Sequence, residues 1–294
     1  MTLGQLRTFV EVARARSISG AAAALVVTEP SVSAAVAALK RDLGVELVER
    51  AGRGIRLTAA GEELARYAAQ ILGLSDRAVR AVREAAGGSR HLRVVGVTTA
   101  GEYVLPRLVA QFRDRHPDVQ VSLEVGNRVT VIARLLDRDA DLAIGGRPPP
   151  GSEIAGEALL DNHLVVVGRA DHPLAARRAI RAQVIAQETW LLREPGSGTR
   201  ETTEEFWAAS AIEPTSVMTV GSNGAIKQAA SVGLGVTLLS LDAVANEIDA
   251  GTLSLLPVAG TPLERPWHVL YVRDSPLPPS AQLFLELMRM QPLT

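Results

Sequence analysis

Apolar positions near the N-terminus recur at helical spacing, interrupted by short turns. Ser17-Ile18-Ser19 and the run Ala21 to Leu25 predict a short helix with a small face that another helix can approach closely, ended by Val26-Val27. Thr28 can accept from free backbone N–H groups, and Pro30 suits a first turn, so a second helix begins near residue 28. Within it Val32, Val36, Leu39 and Leu43 step by four, three and four, which predicts one buried stripe, and Gly44 stops the helix. Val45, Leu47 and Val48 then read as a short strand leading to the turn Gly52-Arg53-Gly54.

From Thr58 to Ala86 the pattern is helical throughout, without proline. Leu64, Ile71, Ala78 and Ala85 recur every seven residues, with Tyr67, Leu74 and Ala81 at the second seam position. Such a helix reaches roughly 40 Å, too long for the small N-terminal domain to cover. It needs either a partner helix or a face of its own chain. Gly87-Gly88-Ser89 supply a hinge.

Beyond the hinge, strands and helices alternate. Leu92–Val97, Val119–Val125 and Asp141–Gly145 read as strands around helices Tyr103–Arg115 and Arg128–Asp137. Strands Leu164–Gly168, Trp190–Leu192, Ser216–Val220 and Val236–Ser240 follow, with helices Thr199–Ala211 and Asn223–Val232. Strand Trp267–Val272 and helix Ser280–Met290 close the chain. This order predicts α/β structure with a mostly parallel sheet.

Composition fits this layout. The chain has 294 residues, enough for two or three domains, with 47% hydrophobic and 21% charged residues. Its net charge is −1, but residues 1–61 hold eight Lys or Arg against five Asp or Glu, so the basic excess sits at the N-terminal end. There is no cysteine, which excludes disulfides and thiolate chemistry. No apolar run approaches the ~20 residues of a membrane span, and no charged segment leads into an apolar stretch at the N-terminus. The expected location is cytoplasmic, with no membrane partner.

A helix, a tight turn and a second helix with a small outward face form a helix-turn-helix, and its second helix enters the DNA major groove. Ser31, Ser33, Ala34 and Ala37 would meet base edges, Lys40 and Arg41 would lie nearer the backbone, and Ser17, Thr28 and Pro30 shape the helix starts. Arg50, Arg53 and Arg56 around two glycines make a basic wing for phosphates.

These residues resemble the N-terminal domain of the LysR-type transcriptional regulators, and the similarity runs through the whole chain. It starts at Leu6-Arg7-Thr8-Phe9-Val10-Glu11-Val12-Ala13 and continues to Leu57-Thr58-Ala59-Ala60-Gly61. Glu29 stands where the family usually has Gln, and Ala34-Ala35 where longer polar side chains are common. With so few long polar groups, readout leans on thymine methyls, Ser31, Ser33, the wing and DNA shape. The resemblance implies three parts: a winged helix-turn-helix domain over 1–61, a linker helix and hinge over 58–88, and a two-lobed effector domain over 89–294. The lobes would divide as about 89–163 with 265–294, and about 164–264, in the manner of periplasmic binding proteins. It also implies that Leu64, Tyr67, Ile71, Leu74 and Ala78 pair two subunits, in a dimer or tetramer on double-stranded operator DNA, and it admits RNA polymerase as a partner.

Ligands of open α/β sheets bind at strand C-terminal ends. Loops there are Thr98-Thr99-Ala100-Gly101, Arg193 to Arg200 and Gly221-Ser222-Asn223-Gly224, each entering a helix whose free N–H groups favour anions. Candidate contacts are Thr98, Thr99, Ala100, Asn127, Gly146, Arg147, Gly196, Ser197, Gly198, Thr199, Ser222 and Asn223. Asp141 to Pro149 and Arg193 to Arg200 also look like the subgroup that regulates Calvin-cycle carbon-fixation genes. That likeness implies a phosphorylated metabolite or a reduced nicotinamide nucleotide as effector, and LysR-type regulators with carboxylate ligands share the Gly-Ser-Gly-Thr loop at 196–199, so the expectation is a small anionic metabolite, phosphorylated or carboxylate, with no cofactor.

The alternatives are a solute-binding protein or an enzyme on the same two-lobed fold. No HExxH, GxSxG, GxxxxGK or strand-borne GxGxxG occurs, and the five histidines show no metal-ligand spacing. Ser197 lacks a histidine at motif-like spacing. The N-terminal DNA motif opposes a free binding protein. A ligand-responsive regulator without catalytic activity is the expectation.

Overall fold

Three helices, Leu3–Ala15 (α1), Ile18–Leu25 (α2) and Glu29–Leu43 (α3), precede a two-stranded hairpin of Val48–Ala51 (β1) and Gly54–Leu57 (β2) and the long helix Ala59–Ala85 (α4). The computed structural model describes residues 1–52 and 54–290. It divides the chain into two units: Met1–Gly88 with Leu136–Asp139, and Ser89–Leu135 with Ala140–Thr294.

In the first unit each helix start is capped as its sequence dictates. Thr2 and Gln5 form a reciprocal capping box on α1, Ser17 Oγ accepts from Gly20 N, and Thr28 Oγ1 accepts from Ser31 N. Val26 takes a left-handed conformation (φ 56°) at the end of α2, and the axes of α2 and α3 lie 110° apart. That is the angular range of a helix-turn-helix. Phe9, Val12, Val32, Leu39 and Leu47 form its core, and Ala65, Ala68, Ala69 and Leu72 of α4 pack against it. Burying each larger side chain of this set stabilises the domain by about 1.5–3 kcal/mol. Gly61 permits the close docking of α4, because a Cβ there would lie 2.0 Å from the Leu47 carbonyl oxygen.

Two expectations change here. Leu43 does not complete the buried stripe: it is 43% exposed in the last turn of α3, beyond the reach of the core that holds Val32, Val36 and Leu39. The wing strand begins at Val48 and not at Val45, which is exposed, because Leu47 first turns inward and its carbonyl accepts from Thr58 N.

The second unit begins with Arg90–Val97 (β3), the helices Thr98–Tyr103 (α5) and Leu105–Arg115 (α6), Val119–Gly126 (β4), Arg128–Leu136 (α7), Leu142–Gly145 (β5) and Ile154–Leu160 (β6). The chain then passes to His163–Arg169 (β7), Ala182–Ile185 (α8), Thr189–Leu192 (β8), Gly198–Ser210 (α9), Ser216–Thr219 (β9), Asn223–Ser231 (α10), Thr237–Ser240 (β10), Leu241–Asp249 (α11) and Leu253–Leu256 (β11). Leu263–Glu264 (β12), Trp267–Val272 (β13) and Pro279–Arg289 (α12) complete it. The expected helix over 103–115 forms as α6, with Pro106 in its first turn, and the short α5, which the sequence pattern did not predict, precedes it.

The mostly parallel sheet is corrected to two mixed lobes. In the first sheet, ordered β4-β3-β5-β13-β6, β3 runs parallel to β4 and β5, but β13 pairs antiparallel with β5 and β6. In the second, β7 pairs antiparallel with β10, β11 and β12, and β8 and β9 form a parallel pair. The cause is topological: strands that cross between lobes enter each sheet against its local direction. Phe112 and Phe284 meet edge to face in the first lobe, and Trp190 meets Trp207 in the same way in the second. The chain crosses between lobes at Asn162 and at Arg265. There Arg265 N donates to Asn162 O, and Asn162 Nδ2 donates to Arg265 O, each at 2.9 Å.

Candidate functional site

A cleft of about 230 Å³ opens between the two lobes. Thr98 and Thr99 line it from the start of α5, Asn127 and Arg128 from the start of α7, and Gly146 and Arg147 from the loop after β5. Ser197, Gly198 and Thr199 face them from the start of α9, with Asn162, Arg265 and Trp267 at the two lobe crossings. Three of these segments open helices, and no side-chain cap engages the first turns of α5 and α9. Asn127 differs: its Oδ1 accepts from Thr130 N at 2.9 Å and so caps α7.

The guanidinium groups are held in place. Arg128 Nη2 donates to the Arg147 carbonyl at 2.8 Å, and its Nε lies 3.6 Å from Glu201. Arg265 Nη2 reaches Glu205 at 3.2 Å. The lining thus carries Arg128, Arg147 and Arg265 against Glu201 and Glu205, a net +1. His268, paired through β13 with Gly145, is 9% exposed. Its burial, together with the charge of Arg147, pushes the imidazole below its ordinary pKa.

Eight of the twelve expected contacts line the cleft: Thr98, Thr99, Asn127, Gly146, Arg147, Ser197, Gly198 and Thr199. Four do not. Ala100 is fully buried in the core of the first lobe. Gly196 provides the turn (φ 85°) that brings α9 to the cleft. Ser222 is exposed and caps α10 by accepting from Ala225 N. Asn223 is wholly buried behind the cleft: it accepts from Arg193 Nη1 at 2.6 Å and donates to Thr99 Oγ1 at 3.2 Å and Glu102 at 3.3 Å. The third loop therefore braces the site instead of lining it. Glu194 continues this brace. Burial works against its carboxylate, but two hydrogen bonds from Arg193 hold its pKa below the ordinary value.

Sequence reasoning missed Arg128, Asn162, Glu201, Arg265 and Trp267. Arg128 follows Asn127 at a helix start, a signal that was available. Asn162 and Arg265 lie 103 residues apart and are joined only by the return crossing, which no local spacing reveals.

On the first unit, Ser31, Ser33, Ala34, Ala37, Lys40 and Arg41 are all exposed, opposite the buried Val32, Val36 and Leu39. Pro30 sits in the first turn of α3, and Thr28 Oγ1 and Ser31 Oγ are 2.9 Å apart. Lys40 pairs with Glu46, so part of its charge is already engaged. Arg50 is exposed on β1, while Arg56 on β2 faces Glu49 and pairs with it. Arg53 lies outside the described residues. On α4, Tyr67 (52%), Ile71 (39%) and Leu74 (44%) are exposed, as is Ala78. Leu64 departs from that row, because the first turns of α4 dock on the helical domain and draw it against that core.

A helix-turn-helix with a wing, joined to a two-lobed domain with a polar cleft, defines a ligand-responsive DNA-binding regulator. Residues 3–62 match the bacterial regulatory helix-turn-helix protein model of the lysR family, and residues 85–292 match the LysR substrate binding domain. The chain belongs to the LysR family. It is 38% identical over 289 residues to the RuBisCO operon transcriptional regulator of Allochromatium vinosum, covering 98% of this chain and 95% of that one. The expected likeness to carbon-fixation regulators is thereby borne out. The regulatory domain of CcmR from Synechocystis PCC6803, solved in complex with 2-PG, shares 33% identity with a TM-score of 0.63, covering 68% of this chain and 95% of that one. Full-length CbnR complexed with its target DNA shares 25% identity with a TM-score of 0.69, covering 98% of this chain and 99% of that one. The relatives are transcriptional regulators, so this chain is a regulator and not an enzyme. Among the described residues no single helix is long and apolar enough to cross a membrane.

Proposed function

We propose that the chain binds operator DNA in the cytoplasm as a homo-oligomer, and that a small phosphorylated or carboxylate metabolite in the cleft alters that binding. The observation that carries this reading is the cleft itself. Hydroxyls of Thr98, Thr99, Ser197 and Thr199 and the guanidinium groups of Arg128 and Arg147 converge from both lobes on one space. An anion there touches both lobes at once, so it binds a closed arrangement better than an open one, and that difference is what shifts a two-state equilibrium. The volume of about 230 Å³ falls below the roughly 300–1,000 Å³ usual for drug-sized ligands, which favours a small metabolite over a dinucleotide. CcmR with 2-PG gives the phosphorylated reading a precedent. The exposed row Tyr67, Ile71, Leu74 and Ala78 supports pairing of two α4 helices, and exposed Ser31, Ser33, Ala34 and Ala37 support a groove-facing α3.

The test is calorimetric titration of the full chain with phosphates and carboxylates, 2-phosphoglycolate among them, followed by binding to the DNA upstream of its own gene with and without the tightest anion. Saturable binding weakened at least tenfold by Arg147→Ala, with a change in DNA affinity, is the expected result. No anion binding, or DNA affinity indifferent to a bound anion, overturns the reading.

A further inference from the structure

Residues 1–61 carry five acidic side chains, and four of them are paired: Glu11 with Arg14, Asp42 with the N-terminal amine, Glu46 with Lys40 and Glu49 with Arg56. Glu29 is the exception. It opens α3, is exposed, and has no cation or hydrogen-bond partner among the described residues. The only basic residues of α3, Lys40 and Arg41, lie eleven and twelve positions on, roughly 16–18 Å along the axis and beyond the ~8 Å screening length of physiological salt. The carboxylate stands uncompensated at the start of the groove-facing helix.

Its position on α3 suits base contact. Ser33 follows Glu29 by four residues, so the two are neighbours on one face, and Ala37 and Lys40 continue that face over the next turns. Ser31 Oγ lies 2.9 Å from Thr28 Oγ1, so that hydroxyl is already engaged in the turn. Among residues 29–37 only Glu29 has a polar side chain longer than serine. An ionised carboxylate only accepts hydrogen bonds. Phosphates, guanine N7 and O6, and thymine O4 repel it, and the donors of the major groove are the amino groups at cytosine N4 and adenine N6. Adenine sets its N7 acceptor beside that amino group, whereas cytosine presents the donor alone.

Resting on the groove-facing placement of α3, we infer that Glu29 is a base-reading residue of this protein and that it selects a cytosine amino group, one in each half-site of the operator. The uncompensated charge sharpens the choice, because a sequence without a donor at that place sets the carboxylate against base acceptors and phosphates. An acid in the first turn also complements the helix dipole. That role alone changes the melting temperature and leaves base preference untouched.

The experiment selects bound duplexes from a random double-stranded DNA library with the full chain, with Glu29→Gln and with Glu29→Ala, and sequences each pool. The wild-type pool holds one cytosine per half-site whose replacement weakens binding about tenfold, toward the lower end of what a base contact contributes. Glu29→Gln moves the preference at that position toward adenine, whose N6 and N7 an amide meets with one acceptor and one donor. Glu29→Ala erases the preference at that position alone. A duplex carrying 2-pyrimidinone there, which lacks the N4 amino group, loses affinity against the cytosine duplex with the wild type and not with Glu29→Ala. Because ratios between sequences are read, a change in the amount of folded protein does not imitate the effect. The same base preference in all three proteins, a preference erased by Glu29→Ala at a base other than cytosine, or equal wild-type affinity for the analogue duplex overturns the inference and leaves DNA binding in place. If Ser33→Ala also selects the same bases as the wild type, the groove-facing placement beneath it fails.

Discussion

The side-chain amide of Asn223 donates to the Thr99 hydroxyl at 3.2 Å and joins positions 124 residues apart. Thr99 lines the cleft from the first lobe, while Asn223 opens α10 in the second and holds the buried Arg193. A ligand contact at Thr99 is therefore one hydrogen bond away from the polar brace of the opposite lobe.

Asn223→Ala removes the partner of Arg193 Nη1 in a fully buried setting, and a stranded donor costs about 1–3 kcal/mol. Thr99→Val leaves Asn223 bonded to Arg193 and Glu102 and should cost less, about 0.5–1.5 kcal/mol. Thr99→Val also reduces response to the bound anion. Urea unfolding of the full chain measures both costs, and a Thr99→Val loss equal to that of Asn223→Ala would refute the brace as drawn.

His268 gives the effector domain a pH dependence. Burial and Arg147 lower its folded pKa beneath the ordinary 6.5, so below that pH the unfolded chain takes up the proton first. The stability associated with neutral His268 is fully present above pH 6.5 and is lost as pH falls through the folded pKa. His268→Gln, which cannot charge, should show a flatter stability profile between pH 7 and pH 5. Parallel profiles for the two proteins would rule His268 out as the source.

The wing separates charge from sequence preference. Arg56 is paired with Glu49, whereas Arg50 is exposed on the neighbouring strand. Arg50→Ala should lower the salt slope of DNA binding by about one unit, and Arg56→Ala by less. Ser33→Ala should leave the slope unchanged and relax base preference, because its hydroxyl stands on the exposed face of α3. Competition binding across salt concentrations distinguishes these outcomes, and equal slopes for both arginine variants would show that the Glu49 pair is broken on DNA.

Local signals account for what could be read in advance. Thr28, Pro30, Gly44 and the heptad steps of α4 each act through neighbours a few residues away, so caps and periodicity place these helices within a residue or two. Strand direction was not legible, because β13 reaches its partners only after the chain has built the whole second lobe. Short elements such as β6 and α11 also escaped: Gly156-Glu157 interrupts the apolar run of the first, and Asn246-Glu247 that of the second. The cleft divided likewise. Thr98, Ser197 and Arg147 announce themselves in helix-starting or strand-ending loops, whereas Asn223 carries the same cap signature as a ligand contact and turns inward. Its partners Arg193, Thr99 and Glu102, all distant in sequence, decide that direction.

The long helix offers the sharpest test of assembly. Tyr67, Ile71 and Leu74 step by four and three along α4 and are 52%, 39% and 44% exposed, while Ala65, Ala68, Ala69 and Leu72 are committed to the helical core. One helix thus has two apolar faces and only one is covered within its own domain, so pairing of two α4 helices is the expected use of the other. Ile71→Asp with Leu74→Glu should move the protein toward monomer in sedimentation velocity without lowering the melting temperature of the helix-turn-helix domain, since neither side chain belongs to its core. Losing the linkage between two half-site contacts should weaken operator binding by about a hundredfold or more. A variant that stays dimeric with unchanged operator affinity would place the subunit contact elsewhere in the chain.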